Sequence, residues 1–202
     1  MQERAYFAAA AAAFSDLVAR VPPDAWAGPG LGVWDLRSLV GHASRSLITV
    51  DTYLDRPAES EVVATIGAYY AAGLTAAGAN SHAVAERGRE AGLALGDDPV
   101  AAIAALVARV VPRVSATEGD PVIETIAGGM RLSNYLPTRT FELVVHSLDV
   151  ATATGLEPEL PAELLAEAAA LAARVAVVQG HGVQVLLALT GRAPLPPAFS
   201  VV

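Results

Sequence analysis

TRTFELVVHSLDVA, residues 138–151, has the apolar composition of a core helix, with polar residues where the core should be. Glu142, His146 and Asp149 recur at intervals of four and three, the repeat of a single helical face. That face is where a helix buries its seam against its neighbours. The stretch therefore predicts a bundle helix carrying a polar site in its contact surface.

The surrounding chain supports a helical reading. Residues 3–20 form an expected first helix that ends before the Pro/Gly-rich loop VPPDAWAGPGLG. A second helix starts around Asp35, a plausible cap, and runs to about Leu54. Ser60 to about Leu95 is helical in pattern, with a break expected near Gly78–Ser81. Asp98 and Pro99 restart a helix that runs to Pro112 or a little beyond. DPVIETIAGGMRLSNYL predicts an ordered loop or small hairpin over 121–132, with Ser133 capping the next helix. That helix extends to Thr154 and stops at Gly155; a last helical region, Pro161 to Leu189, bends near QGHG. There is no repeat, heptad run or linker, so the expectation is a single all-α domain over 1–202.

Composition excludes several chemistries. Apolar residues make up 53% of the chain, but alanine inflates the figure, so it indicates helix more than an oily interior. There is no cysteine, hence no disulfide, thiolate ligand or thiol nucleophile. Lysine is also absent, which removes Schiff-base and P-loop chemistry. The formal charge of −8 disfavours nucleic acid and anionic membranes as partners. No signal peptide is evident, and the uncharged window Val62–Ala85 is too rich in glycine and small residues for a membrane span, so a cytoplasmic location is expected. A homodimer is compatible with the small side chains, but no seam identifies one.

His42 stands on the second helix among Trp34, Leu36, Leu39 and Val40, a setting that suits a core histidine. Glu142 and His146, one turn apart, can reach the same point from one backbone. Bundles build metal sites from such residues on facing helices. Together His42, Glu142 and His146 would offer three ligands and leave a position open to water or substrate. The donor set suits zinc best, and also Ni, Fe, Mn or Co. The competing reading is a buried polar network between Glu142 and His42. Around these, Arg45 could anchor a carboxylate and Arg139 could pair with Glu142 or cap the helix; Asp149 could orient His146 or bind the metal, but its first reading is a structural helix-to-loop hydrogen bond. Trp34 reads as core packing, Asn134 and Tyr135 as neighbours of the end loop, and His82 and His181 as isolated histidines.

GVWDLRSLVGHASRSL and GGMRLSNYLPTRTFELVVHSLDVATATG resemble the two signatures of the DinB-like, mycothiol-dependent maleylpyruvate isomerase N-terminal domain family, and VLLALTGRAPLP is similar to the ending of its members. The resemblance implies an up-down-down-up four-helix bundle with an extra C-terminal helix, and metal ligands at His42, Glu142 and His146. It further implies a metal-dependent isomerase or S-transferase acting on a small molecule with a low-molecular-weight thiol such as mycothiol. The family's isomerase has an additional C-terminal domain that these 202 residues do not include, so the resemblance leaves isomerisation of maleylpyruvate itself open. A metal-dependent hydrolase with activated water and a non-catalytic metal or small-molecule binder are the alternatives. The missing cysteine is consistent with an imported sulfur.

Overall fold

A computed structural model describes residues 2–77 and 81–201, and their side chains outside 74–82. Four helices enclose the core: α1 (Gln2–Ala19), α2 (Leu36–Tyr53), α5 (Pro99–Ala116) and α6 (Leu132–Thr154). Around them lie α3 (Ile66–Ala77), α4 (Ser81–Ala94), α7 (Ala162–Val178) and α8 (Gly182–Leu189), with one hairpin, β1 (Val122–Thr125) and β2 (Gly128–Arg131). The four central helices form a ring in which α1 and α2 each touch both α5 and α6.

Side-chain ties fix the directions. Arg4 near the start of α1 donates to Thr117 O just past the end of α5, while Arg20 after α1 donates to Glu157 O just past α6. Tyr135 near the start of α6 donates to Thr49 near the end of α2, and Asp51 of α2 pairs with Arg109 and Arg113 in the second half of α5. The order is therefore up, down, down, up. Phe7, Phe14 and Leu17 of α1, Leu39 and Leu47 of α2, Ile103 of α5 and Leu136 of α6 are fully buried in the shared core.

Local chemistry explains most boundaries. Asp35 accepts from Ser38 N at 2.7 Å and Asp98 from Ala101 N at 2.9 Å, so both acids cap as expected. Helix α6 ends where Gly155 takes φ 70, a conformation that glycine adopts without strain. Helix α5 continues through Pro112 to Ala116; the proline is on the exposed side, where the lost backbone bond can be hydrated.

Two expectations are corrected. Ser133 does not cap α6, which begins one residue earlier; its N and Oγ instead bind the Asp120 carboxylate at 2.9 and 2.8 Å. The helix expected from Ser60 begins only at Ile66. The preceding residues are stitched to the hairpin by backbone bonds: Ala58 N to Val122 O (2.9 Å), and Val62 N and Val63 N to Gly129 O (2.9 Å each). Gly129 permits this approach, since a Cβ there would lie 2.1 Å from Ser60 O. Most of the expected break at Gly78–Ser81, and the His82 side chain, lie outside the described residues.

Helix α4 lies against α2 more closely than side chains normally permit. A Cβ on Gly41 would stand 2.2 Å from Gly92 N, and one on Gly88 would stand 2.5 Å from the Trp34 ring. Trp34 Nε1 donates to Ala85 O at 2.9 Å, so the indole straps α4 to the start of α2. His181 precedes α8 and meets the Phe199 ring of the tail at 5.5 Å. Among the described residues one helix, Pro99–Ala116, is long and apolar enough to cross a membrane by length and composition; it packs in the bundle against α1 and α2.

Candidate functional site

The polar stripe of α6 is longer than its sequence first suggests. Tyr135, Arg139, Glu142, His146 and Asp149 follow one another by four, three, four and three residues, along one edge of the helix. Helix α2 runs antiparallel beside it and brings His42 opposite His146, with ring centroids 5.0 Å apart and planes at 85°. His146 is 9% exposed. Its Nδ1 donates to Asp149 Oδ2 at 2.9 Å, and its Nε2 lies 3.4 Å from Glu142 Oε2. Asp149 thus bonds within its own helix instead of forming the helix-to-loop hydrogen bond expected first; it fixes the ring and leaves the other nitrogen facing Glu142.

His42 is covered on one side by Trp34, with centroids 4.5 Å apart and planes tilted by 31°. Its Nδ1 is buried and has no hydrogen-bond partner. A buried imidazole nitrogen without a partner is uncommon and calls for a ligand, an ion or water. The Glu142–His42 network considered from sequence is not formed as a hydrogen bond; His146, rather than His42, is the residue that meets Glu142.

The charges respond to this packing. Burial pushes the pKa of His42 down to about 4, with the neighbouring His146, Arg45 and Arg87 adding to the effect against the pull of Glu142. Burial also opposes charge on His146, but its hydrogen bonds to Asp149 and Glu142 outweigh that and carry it up to about 9. Burial would raise Glu142; the His146 bond and the Arg139 charge hold it below the usual carboxylate value.

These opposed shifts predict a stability optimum for the metal-free protein. Folded His146 holds its proton more tightly than the unfolded chain, whose value is about 6.5, so that stabilisation is complete below pH 6.5 and is lost as pH rises through about 9. His42 acts in reverse: the unfolded chain gains a proton near 6.5 that the folded state refuses until about 4, so stability falls as pH drops through that window. Urea midpoints between pH 4 and 9 should peak near 6.5, with losses on the order of 3 kcal/mol towards each end. A flat alkaline limb would contradict the Glu142–His146–Asp149 chain.

Arg139 makes no ion pair with Glu142 and does not cap α6. Its Nε donates to Thr138 Oγ1 at 3.0 Å, and its guanidinium carbon lies 5.4 Å from the Tyr69 centroid and 5.2 Å from that of Tyr135. Arg45, half-buried on α2, stands one turn beyond His42 and acts on it through charge. Asn134 is engaged elsewhere, donating from Nδ2 to Ala64 O at 3.1 Å. Tyr135 is fully buried, with its hydroxyl on Thr49 Oγ1 at 2.8 Å, and serves as the floor beneath Arg139. Tyr69, Tyr70 and the stacking role of Trp34 are the components that the sequence does not reveal.

The cluster can be compared with what a divalent cation requires. The donor chemistry fits: two imidazoles, a carboxylate, an unpartnered His42 Nδ1 and an Asp149-oriented His146. Convergence is incomplete, because among the described residues no group of three His, Asp or Glu side chains stands at metal-holding distances.

A family model described as mycothiol maleylpyruvate isomerase N-terminal domain matches residues 7–151. The match takes in every residue of this cluster and stops before α7. Neither the curated proteins nor the solved structures gave a match.

Proposed function

Because the chain belongs to the mycothiol maleylpyruvate isomerase N-terminal domain family, we propose that it is a metal-dependent enzyme using a low-molecular-weight thiol of the mycothiol type, in an isomerisation or S-transfer on a small electrophile. His42, Glu142 and His146 would hold one divalent cation, zinc in the first instance. The observation that carries this reading is the orphaned His42 Nδ1, buried beside a histidine whose ring is already oriented by Asp149. A cation there supplies Lewis-acid help in making a thiolate available at neutral pH.

The remaining roles belong to the chain. Asp149 keeps the His146 proton on Nδ1 and so leaves Nε2 towards Glu142. Trp34 shields one face of His42 from water. With no cysteine in the chain, the sulfur nucleophile has to come from a cosubstrate. In an isomerisation the thiolate adds to a conjugated carbon–carbon double bond; the former double bond rotates as a single bond, and elimination returns the thiol. In a transfer the new carbon–sulfur bond persists: after addition the neighbouring carbanion takes up a proton, and in displacement the carbon–halogen bond breaks and halide leaves.

The test is thiol consumption and product formation with zinc-loaded protein, mycothiol or N-acetylcysteine, and a panel of conjugated and halogenated electrophiles. Turnover that requires thiol and is lost in His146→Ala is expected. Turnover that continues undiminished without thiol would favour the metal-dependent hydrolase instead, and metal bound with no turnover of any electrophile would favour a binding protein.

A further inference from the structure

Among the described residues two buried side-chain atoms have no partner, and the metal reading accounts for one; the other is the hydroxyl of Tyr70. Tyr70, on α3, is 7% exposed. Its ring meets those of Tyr69 (5.8 Å) and Phe141 (6.1 Å), next in sequence to Glu142. A phenol hydroxyl is both donor and acceptor, and leaving it unsatisfied inside a protein is unfavourable by an amount comparable to a lost hydrogen bond.

Arg139 presents the same problem as a charge. It lies over the edge-to-face pair of Tyr69 and Tyr135, whose centroids are 5.7 Å apart, and the two rings hold the guanidinium in place. Only its Nε has an acceptor, Thr138 Oγ1; the terminal nitrogens donate to no protein atom among the described residues. A half-buried guanidinium with a free fork is suited to receive a carboxylate in two parallel bonds. Local charge permits an anion here although the chain is acidic overall: Arg45, Arg87 and Arg139 outnumber Glu142 and Asp149, the two carboxylates in contact with the histidines or acting on them.

We infer that Arg139 and the Tyr70 hydroxyl form a carboxylate-binding subsite beside Glu142, which seats the small-molecule ligand of this cluster. Arg139 supplies the fork and Tyr70 a neutral donor that burial keeps protonated. This deepens the proposed function by assigning the ligand an anionic end, and rests on that reading for the reaction but not for the binding.

The experiment is calorimetric titration of the purified protein, its Tyr70→Phe and Arg139→Lys variants, with maleate, its uncharged dimethyl ester and N-acetylcysteine. Metal content and melting temperature are measured on the same samples. Wild type should bind a carboxylate probe and not the ester; Tyr70→Phe should weaken binding by about tenfold and Arg139→Lys by at least as much. Tyr70→Phe should melt no lower than wild type, because it removes an unsatisfied group, and metal content should be unchanged. Weakening confined to maleate assigns the subsite to the electrophile, and weakening confined to N-acetylcysteine assigns it to the thiol. Equal affinity in wild type and Tyr70→Phe, or no carboxylate binding at all, overturns the subsite whatever the metal content. Weakened binding in metal-free protein would leave the subsite standing and remove the cation.

Discussion

Gly41→Ala should destabilise the protein by about 2 kcal/mol or more, although alanine is normally the better helix residue by roughly 1 kcal/mol. The added methyl would meet Gly92 N at 2.2 Å, Ala91 C at 2.5 Å and Gly92 Cα at 2.5 Å, all of them backbone atoms that no rotamer change can move. Helix α4 would have to withdraw from α2. Withdrawal would break the Trp34–Ala85 bond and the Arg37 bond to Gly92 O (2.9 Å), loosening the wall that covers His42. Gly73→Ala is the matched control: Gly73 is mid-helix in α3, and a methyl added there would find nothing within 4 Å, so the same change should stabilise by a fraction of 1 kcal/mol up to about that much. Denaturant midpoints for the two variants should move in opposite directions; movement in the same direction would contradict the close α2–α4 approach.

The contrast also shows which parts of the fold are legible in the sequence. The α6 stripe and His42 can be read because a 3.6-residue period places side chains on a face without knowledge of the partner helix. The caps at Asp35 and Asp98 can be read because capping is local. Gly88 and Gly92 carry no such signal: a glycine inside a helical pattern reads as a weakness, and only the position of α2 turns it into a contact. The onset of α3 escapes the sequence for a similar reason, since residues before Ile66 find their partners in a hairpin more than 60 positions away (Val62 and Val63 on Gly129).

In the site, Arg139 is instructive. Its spacing of three from Glu142 suggests a pair, yet helical side chains lean towards the N-terminus of their helix, which takes Arg139 back over Tyr135 and Thr138. Tyr69 and Tyr70 lie in an uncharged window that reads as filler, and their part depends on α3 crossing α6, a tertiary fact. Asp149 is the reverse case, because a contact within one helix turn needs no tertiary information.

The second large effect concerns the proposed metal site. Removing His146 deletes the one nitrogen that Asp149 orients towards Glu142, and removing His42 deletes the ring that faces His146 and carries the unpartnered Nδ1. Neither loss can be made good nearby, because among the described residues no other histidine joins the cluster. Asp149→Asn, which keeps the three proposed ligands and weakens only the orientation of His146, should lower metal affinity by about 10- to 100-fold. The most direct measurement is the metal content of tag-free protein by mass spectrometry, on wild type, His42→Ala and His146→Ala, each confirmed as folded by circular dichroism. The account predicts about one divalent cation per chain in the wild type and none retained by either alanine variant. A wild type that stays empty after reconstitution with zinc, nickel and iron, or variants that keep the full complement, would contradict it and leave the cluster as a polar seam in a helical bundle.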